Sequence, residues 1–195
     1  MGIRKLDLEK LSKISFSQPS LSKFWKIYYS NISKDLNSLF FSELKENIQI
    51  TFLQKDVVTI GDYFSNTSGD DYLAMFKILN SDNICFINIP NSLSNSIICG
   101  FLGGKIEGKF SRKLSNTDNI VLNSMALEIM DIVLTPLGHN ISSSQVSDEL
   151  NLFRYKSLNS DQLVTILQFA VNFGDFYYTL EFGLSNKTLD SVSLV

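Results

Sequence analysis

At 195 residues, 44% hydrophobic and 19% charged, the chain carries enough apolar material for one domain with a sizeable core, which argues against overall disorder. A net charge of −3 leaves no basic excess and argues against a nucleic-acid partner. The single histidine, and two cysteines without a C-x-x-C pair, remove most zinc sites and any disulfide framework; Cys85 and Cys99 lie in apolar runs and are expected as buried, reduced thiols.

Residues 1–17 read as a mixed-charge N-terminal leader with a short amphipathic pattern at Leu6, Leu8, Leu11 and Ile14. They lack the continuous apolar core of a secretory signal. Leu6 stands where a myristoylation motif needs Ser or Thr. Apolar stretches of about ten residues fall short of the ~20 that span a bilayer, so the expected setting is soluble and cytoplasmic, with no direct membrane insertion.

Pro19-Ser20 opens a helix, and Leu21, Trp25, Tyr28, Ile32, Leu36 and Leu39 follow at spacings of three and four. Phe24, Ile27, Phe40 and Phe41 widen that face. Ile48, Ile50 and Phe52 alternate with polar residues as a strand. After a polar loop at Asn66 to Asp71, Tyr72 to Leu79 and Ile84 to Ile89 form a hairpin around Asn80-Ser-Asp-Asn83. Pro90 stops it, and Ser92 to Leu102 reads as a short helix.

The segment Phe101 to Asp118, FLGGKIEGKFSRKLSNTD, joins that helix to a longer one. Gly103, Gly108 and Lys109 have the spacing of a phosphate-binding loop. Phe110 occupies the position that needs Ser or Thr, and a helix rather than a strand precedes Gly103, so the reading is a connector with Gly at a helix C-cap. Lys105, Lys109, Arg112 and Lys113 make it basic, partly offset by Glu107. Ser115-Asn-Thr-Asp118 has capping-box spacing and starts a helix over Asn116 to Leu134, which Pro136 and Gly138 end. Leu122, Met125, Ile129 and Ile132 face its core, and Ser124, Glu128, Asp131 and Thr135 face solvent. Ile120, Leu127, Met130 and Leu134 are surplus apolar surface, suited to the other long helix or to another molecule. His139 is expected beside the carbonyls of the helix end.

An extended segment then runs from about Ser144 to Tyr155, and Leu163 to Phe173 and Phe176 to Phe182 form a second hairpin, closed by Gly183. The order helix, strand, hairpin, helix thus occurs twice, over 18–104 and 114–195, within a single domain at 18–195. Joined, the two halves give a continuous antiparallel sheet covered by helices.

In this order the motifs resemble the middle-domain family of the flagellar switch protein FliM, within the CheC-like superfamily, over residues 4–192. Phe101-Leu102-Gly103-Gly104 matches the family's Leu-Phe-Gly-Gly type motif; Arg112, Leu114 and Ser115-Asn-Thr-Asp118 match its basic, hydrophobic and helix-start positions. The resemblance implies an α/β/α sandwich of pseudo-twofold symmetry, in the α/β (α+β) class, with a mostly antiparallel central sheet and no catalysis or cofactor. It implies a place in the cytoplasmic switch ring at the flagellar basal body, with roles in motility and chemotactic switching. The implied partners are a FliG-like rotor protein, neighbouring copies of the chain through the long helices, and a FliN-like protein. Phe101, Leu102, Gly103, Gly104, Lys105, Gly108 and Lys109 become the candidate docking loop. Ile106 stands where the family has a further glycine.

The family's N-terminal motif that binds phosphorylated CheY is matched only faintly by Leu6 to Leu11, and no FliN-like stretch is evident, so a middle-domain fragment or a reduced member is expected. Two alternatives stay open. One is a ring component of type III secretion. The other is a CheC-type phosphatase acting on phosphorylated CheY, with Ser124, Glu128 and Asp131 at its catalytic spacing. There Asp131 replaces the asparagine that would orient water, and its charge opposes an acyl phosphate. Asn31, Asp35 and Ser38 repeat the spacing in the first helix with the wrong residue types.

Overall fold

The structure is a computed structural model that describes residues 19–79, 84–104, 106, 111–146 and 160–190. Its elements in chain order are α1 (Pro19–Leu44), β1 (Ile48–Thr59), α2 (Ile60–Asn66), β2 (Tyr72–Ile78), β3 (Ile84–Ile89) and α3 (Asn91–Phe101). There follow α4 (Asn116–Leu134), a 3₁₀ turn (Thr135–Leu137), β4 (Ile141–Val146), β5 (Leu163–Phe173), β6 (Phe176–Ser185) and α5 (Asn186–Asp190). The expected leader, and the end of the expected extended segment beyond Val146, lie outside the described residues.

The strands form one sheet in the order β1-β5-β6-β3-β2-β4, antiparallel throughout. Each half contributes a hairpin to the centre, β2-β3 and β5-β6. Each half also sends its lone strand to the far edge, where it pairs with the other half's hairpin: β1 with β5, and β4 with β2. This is the α/β/α sandwich with an antiparallel sheet, with α2 alone among the described helices on its second face.

Period-two alternation along the central strands decides the faces. Ile87, Phe76, Phe169, Leu180 and Phe182 point to the side covered by α1, α3 and α4, together with Tyr28, Ile32, Leu36, Phe40, Leu122, Ile129 and Val133. The Tyr28 hydroxyl donates to the Val133 carbonyl at 2.9 Å, tying the two long helices where they pack. Asn37 of α1 grips Ile50 of β1: its Oδ1 accepts from the Ile50 N–H at 2.8 Å and its amide donates to the Ile50 carbonyl at 3.1 Å. A side chain thus satisfies backbone groups on the edge strand that would otherwise invite another strand.

Several expectations are corrected. Met130 and Leu134 are fully buried and Leu127 is partly buried, so the apolar surface of α4 read as suited to the other long helix or to another molecule is mostly core and not open to another molecule; Ile120, 72% exposed, is what remains outside. Asn116–Leu137, with a mean hydropathy of 1.6, is long and apolar enough to cross a membrane, contrary to the shorter stretches read along the chain. Here that apolarity serves the sheet-facing and helix-facing sides of one packed helix.

β1 runs to Thr59, well past the alternation at Ile48, Ile50 and Phe52. A bulge between Phe52 and Gln54 and exposed residues beyond it erase the periodicity, while backbone pairing with β5 continues. β6 does not stop at Gly183 but continues to Ser185. Gly183 lies opposite Phe86, where a Cβ would stand 2.0 Å from the ring. That glycine makes room for an aromatic ring on the second face, which α2 covers through Tyr63 and Phe64.

This contact predicts that Gly183→Ala destabilises the fold by about 2 kcal/mol through overpacking. Combining it with Phe86→Leu should recover part of that loss in a double-mutant cycle of chemical unfolding. Additive losses would show that the ring does not press on Gly183.

Candidate functional site

The connector between α3 and α4 is built from its two ends inward. At the α3 end, Gly103 takes φ +75°, and its N–H donates to the Gly100 carbonyl at 2.9 Å. The Gly104 N–H reaches back to the Cys99 carbonyl at 2.9 Å. These two bonds are a complete Schellman C-cap, which is the local reason for two adjacent glycines. Nothing lies within 4 Å of a Cβ built on Gly103, so its backbone conformation alone demands glycine there. At Gly104 a Cβ would stand 2.7 Å from the Cys99 sulfur.

Past the cap, Ile106 turns back onto the core. It packs beside Gly100 and Leu44: a Cβ on Gly100 would meet the Ile106 Cδ1 and a Leu44 methyl, each at 3.2 Å. Ile106 is therefore an apolar anchor that holds the chain past the cap against the base of α3. Leu114 anchors the other end in the same core.

Between these anchors and α4 runs a polar junction centred on Asn91. Its Oδ1 accepts from Ser111 Oγ at 2.8 Å and from the Asn95 amide at 2.9 Å. Its own amide donates to the Asp70 carbonyl at 3.0 Å and to the Arg112 carbonyl at 3.1 Å. Its backbone N–H donates to Asp71 Oδ1 at 3.0 Å. One buried side chain thus fixes the start of α3, the loop after α2 and the end of the connector. Asn91 and Asn95 carry no motif that marks them in the sequence; only their burial distinguishes them.

Ser115 and Asp118 form the expected capping box: the Asp118 N–H donates to Ser115 Oγ at 3.2 Å, and the Ser115 N–H donates to the Asp118 carboxylate at 2.7 Å. Arg112 adds a fork on both Asp118 oxygens, one of its bonds at 2.9 Å. The Arg112 guanidinium, and then the Ser115 donors, hold the buried Asp118 carboxyl well below the usual carboxylate range.

The outcome is an exposed turn on a rigid base. Phe101 is 42% and Leu102 76% exposed, side by side, at the tip. Of the other loop residues read from sequence, Gly103 and Gly104 form the cap, while Lys105, Gly108 and Lys109 lie outside the described residues. Ser124, Glu128 and Asp131 do share one solvent-facing stripe of α4, with Asp131 accepting from Thr135 Oγ1 at 3.2 Å. Asn31, Asp35 and Ser38 are exposed on α1. No group of three or more His, Cys, Asp or Glu converges as metal ligands among the described residues. His139 Nε2 lies 3.0 Å from the Thr188 carbonyl, joining the end of α4 to α5.

No family model matches the sequence, and no curated protein matches it. Solved structures do match its fold. A chain of the FliG–FliM complex from H. pylori superposes with a TM-score of 0.74 at 13% identity, covering 90% of this chain and 98% of that one. The FliM middle domain from H. pylori gives a TM-score of 0.71 at 11% identity, over 90% and 98%. FliY of Thermotoga maritima gives 0.72 at 14%, over 91% and 98%. The fold is thus that of the CheC-like and FliM middle-domain proteins.

The Arg112–Asp118 fork carries a pH prediction. Because the folded-state carboxyl titrates below its unfolded value, its contribution is complete above about pH 4 and declines as pH falls towards the folded-state value. Asp118→Asn should cost about 1.5 kcal/mol at neutral pH, partly exposed Arg112 limiting the gain. In urea unfolding the gap to wild type should close as the medium is acidified. A gap of constant size down to about pH 2 would show that the charge on Asp118 contributes nothing.

Proposed function

We propose that this chain is a non-enzymatic scaffold of a flagellar switch ring, docking a FliG-like rotor protein through the turn at Phe101-Leu102 and the loop that follows it to Lys109. Neighbouring copies meet through the exposed sides of α1 and α4, where Ile27, Phe41 and Ile120 remain outside the core. A FliN-like protein is the further partner expected, and the setting is cytoplasmic, at the base of a flagellum.

The observation that carries this reading is the pairing of exposure at Phe101 and Leu102 with the fixed positions of Gly103, Gly104 and Ile106. Two consecutive apolar side chains face solvent on a turn held by a Schellman cap, by Ile106 and by the Asn91 junction. A partner binds such a turn with little ordering cost. The fold, shared with a chain of a FliG–FliM complex, supports the same reading. The stripe at Ser124, Glu128 and Asp131 lacks the asparagine amide of a water-orienting site, which weighs against phosphatase chemistry.

The test must separate docking from folding. Glycine 103 is a poor probe, because its positive φ makes most substitutions strain the cap. Leu102→Glu keeps the cap and places a charge on the exposed tip. In a titration with the FliG-like protein of the same organism, it should weaken binding at least about tenfold, whereas Gly103→Asn, which tolerates the left-handed conformation, should stay within about twofold. Unchanged binding by a folded Leu102→Glu protein would refute the docking turn. Loss of phospho-CheY in the presence of the wild-type chain, abolished by Glu128→Ala, would replace the scaffold with an enzyme.

A further inference from the structure

β1 forms one edge of the sheet and, among the described residues, pairs only with β5. It is 12 residues long, and residues 53–57 are all exposed. An edge strand of that length offers unpaired N–H and C=O groups to any strand that approaches. Its composition adds to the exposure. Phe52 to Val58, Phe-Leu-Gln-Lys-Asp-Val-Val, has no proline or glycine and no net charge, which is the make-up of a segment that pairs with copies of itself. Leu53 and Val57 are 44% and 56% exposed, so a strand laid alongside would bury apolar surface as well.

Three features stand along this edge. The first is Asn37 of α1. Its Oδ1 accepts from the Ile50 N–H at 2.8 Å and its Nδ2 donates to the Ile50 carbonyl at 3.1 Å, so the side-chain amide takes the place that a peptide group of a further strand would take. The same Nδ2 donates to the Ser33 carbonyl at 2.7 Å, one turn back, which fixes the amide on its own helix. The second feature is the bulge between Phe52 and Gln54. Ile50 turns its backbone groups away from β5, and alternation carries that orientation to Lys55 and Val57 once the bulge has shifted it by one residue. A strand pairing along the whole edge would need a matching irregularity.

The third is Lys55, in the middle of the stretch that Asn37 leaves open. Its Nζ lies 5.6 Å from the centroid of the Trp25 ring. Trp25 stacks on Tyr29, and Tyr29 stacks on Phe52 at 3.9 Å, so the ammonium is drawn to an aromatic face built beside the edge itself. A strand arriving at Lys55 has to strip water from that charge or displace it. Bulges and edge lysines are two ways in which exposed strands resist pairing, and Asn37 adds a third by occupying the hydrogen-bond sites.

We infer that Asn37, the bulge and Lys55 close the free edge of β1 against strand addition, and that the strand they exclude is β1 of a second copy, paired antiparallel about Val57. That occupant follows from the register. With Val57 opposite its own counterpart, Lys55 stands opposite Thr59 and Asp56 opposite Val58, so no like charges meet and each pairing occurs twice about one two-fold axis. Centring on Lys55 or Asp56 instead would set like charges face to face. The closure is independent of the docking turn at Phe101-Leu102 and of the exposed sides of α1 and α4.

The experiment is sedimentation equilibrium of the full chain, with Val57→Cys as a separate reporter of the edge. In the antiparallel register about Val57 the two Cα atoms stand about 5.5 Å apart, within disulfide reach. With no other change, oxidation of the reporter chain should give no intermolecular bridge at position 57. Asn37→Ala combined with Lys55→Thr should self-associate at least about tenfold more tightly than wild type, and with the reporter added it should bridge at position 57. Adding Val57→Lys to that pair should return association to the wild-type level. Lys55→Thr alone, exposed and outside the core, should tighten association about threefold, and it decides the matter if Asn37→Ala unfolds the chain. Wild-type association in a folded double variant, or in Lys55→Thr where the double variant unfolds, would overturn the assignment. So would an equal yield of the bridge with Asn37 and Lys55 in place, or association that Val57→Lys leaves intact.

Discussion

The exchange of edge strands between the two halves is the constraint on which the rest of the structure depends. β1 belongs to the first half by sequence and to the second by hydrogen bonding, and β4 is its counterpart. Ile48 pairs with Phe173, so the first strand to be made waits for nearly the last. Neither half can close its sheet alone, because each would keep a bare hairpin edge and lack its outer strand. The cost is a large share of non-local pairing, which slows folding; the gain is one continuous core rather than two small ones.

That exchange fixes what the connector has to do. The chain must leave α3 and begin α4, which packs beside α1 and α3, with no strand among the described residues between them. Each joint is therefore specified locally. Gly103 and Gly104 end one helix, Ile106 and Leu114 bind the loop to the core, and Asn91 ties its far end to the start of α3. Arg112 and Ser115 then meet on Asp118 to begin the next helix. The exposed Phe101-Leu102 turn is rigid because the same devices that solve the connection also hold its flanks. Stability and presentation come from one set of contacts, so substitutions chosen to test one must leave the other intact.

Much of this was legible in the sequence where local chemistry decides the outcome. The capping box at Ser115 and Asp118, the α4 boundaries and the strand Leu163–Phe173 follow from caps and periodicity that tertiary packing does not override. The glycine pair was readable as a C-cap for the same reason. What escaped was set by partners distant in the chain. The end of β1 has no alternation because its pairing with β5, not burial, keeps it extended. Gly183 looked like a stop because glycine usually punctuates strands, whereas here it accommodates Phe86 across the sheet. Met130 and Leu134 looked surplus because a single helical stripe was assumed, but α4 packs against the sheet and against neighbouring helices at once. The Asn88 and Glu181 pair was invisible because the register that joins them runs between strands of different halves.

The two faces of the sheet divide the remaining work by chemistry. On the helix-rich face nearly every inward residue is apolar; the Tyr28 hydroxyl has a partner inside the packing, while the Asn95 and Asn123 side-chain oxygens accept from no donor among the described residues. The apolar side chains left outside that packing stand at its rim, Phe101, Leu102 and Ile120 among them. The opposite face is only partly covered by α2, whose apolar cluster with Phe86 and Ile166 is small. Beside that cluster the strands turn polar, placing Asn88 and Glu181 directly opposite each other between β3 and β6. A pair of this kind at the centre of a sheet does nothing for hydrophobic packing and leaves the Asn88 Oδ1 unmet. At the join between the halves this pair forgoes the packing of a further apolar pair, and the Tyr63, Gln168 and Asn88 donors on Glu181 are what offset that loss.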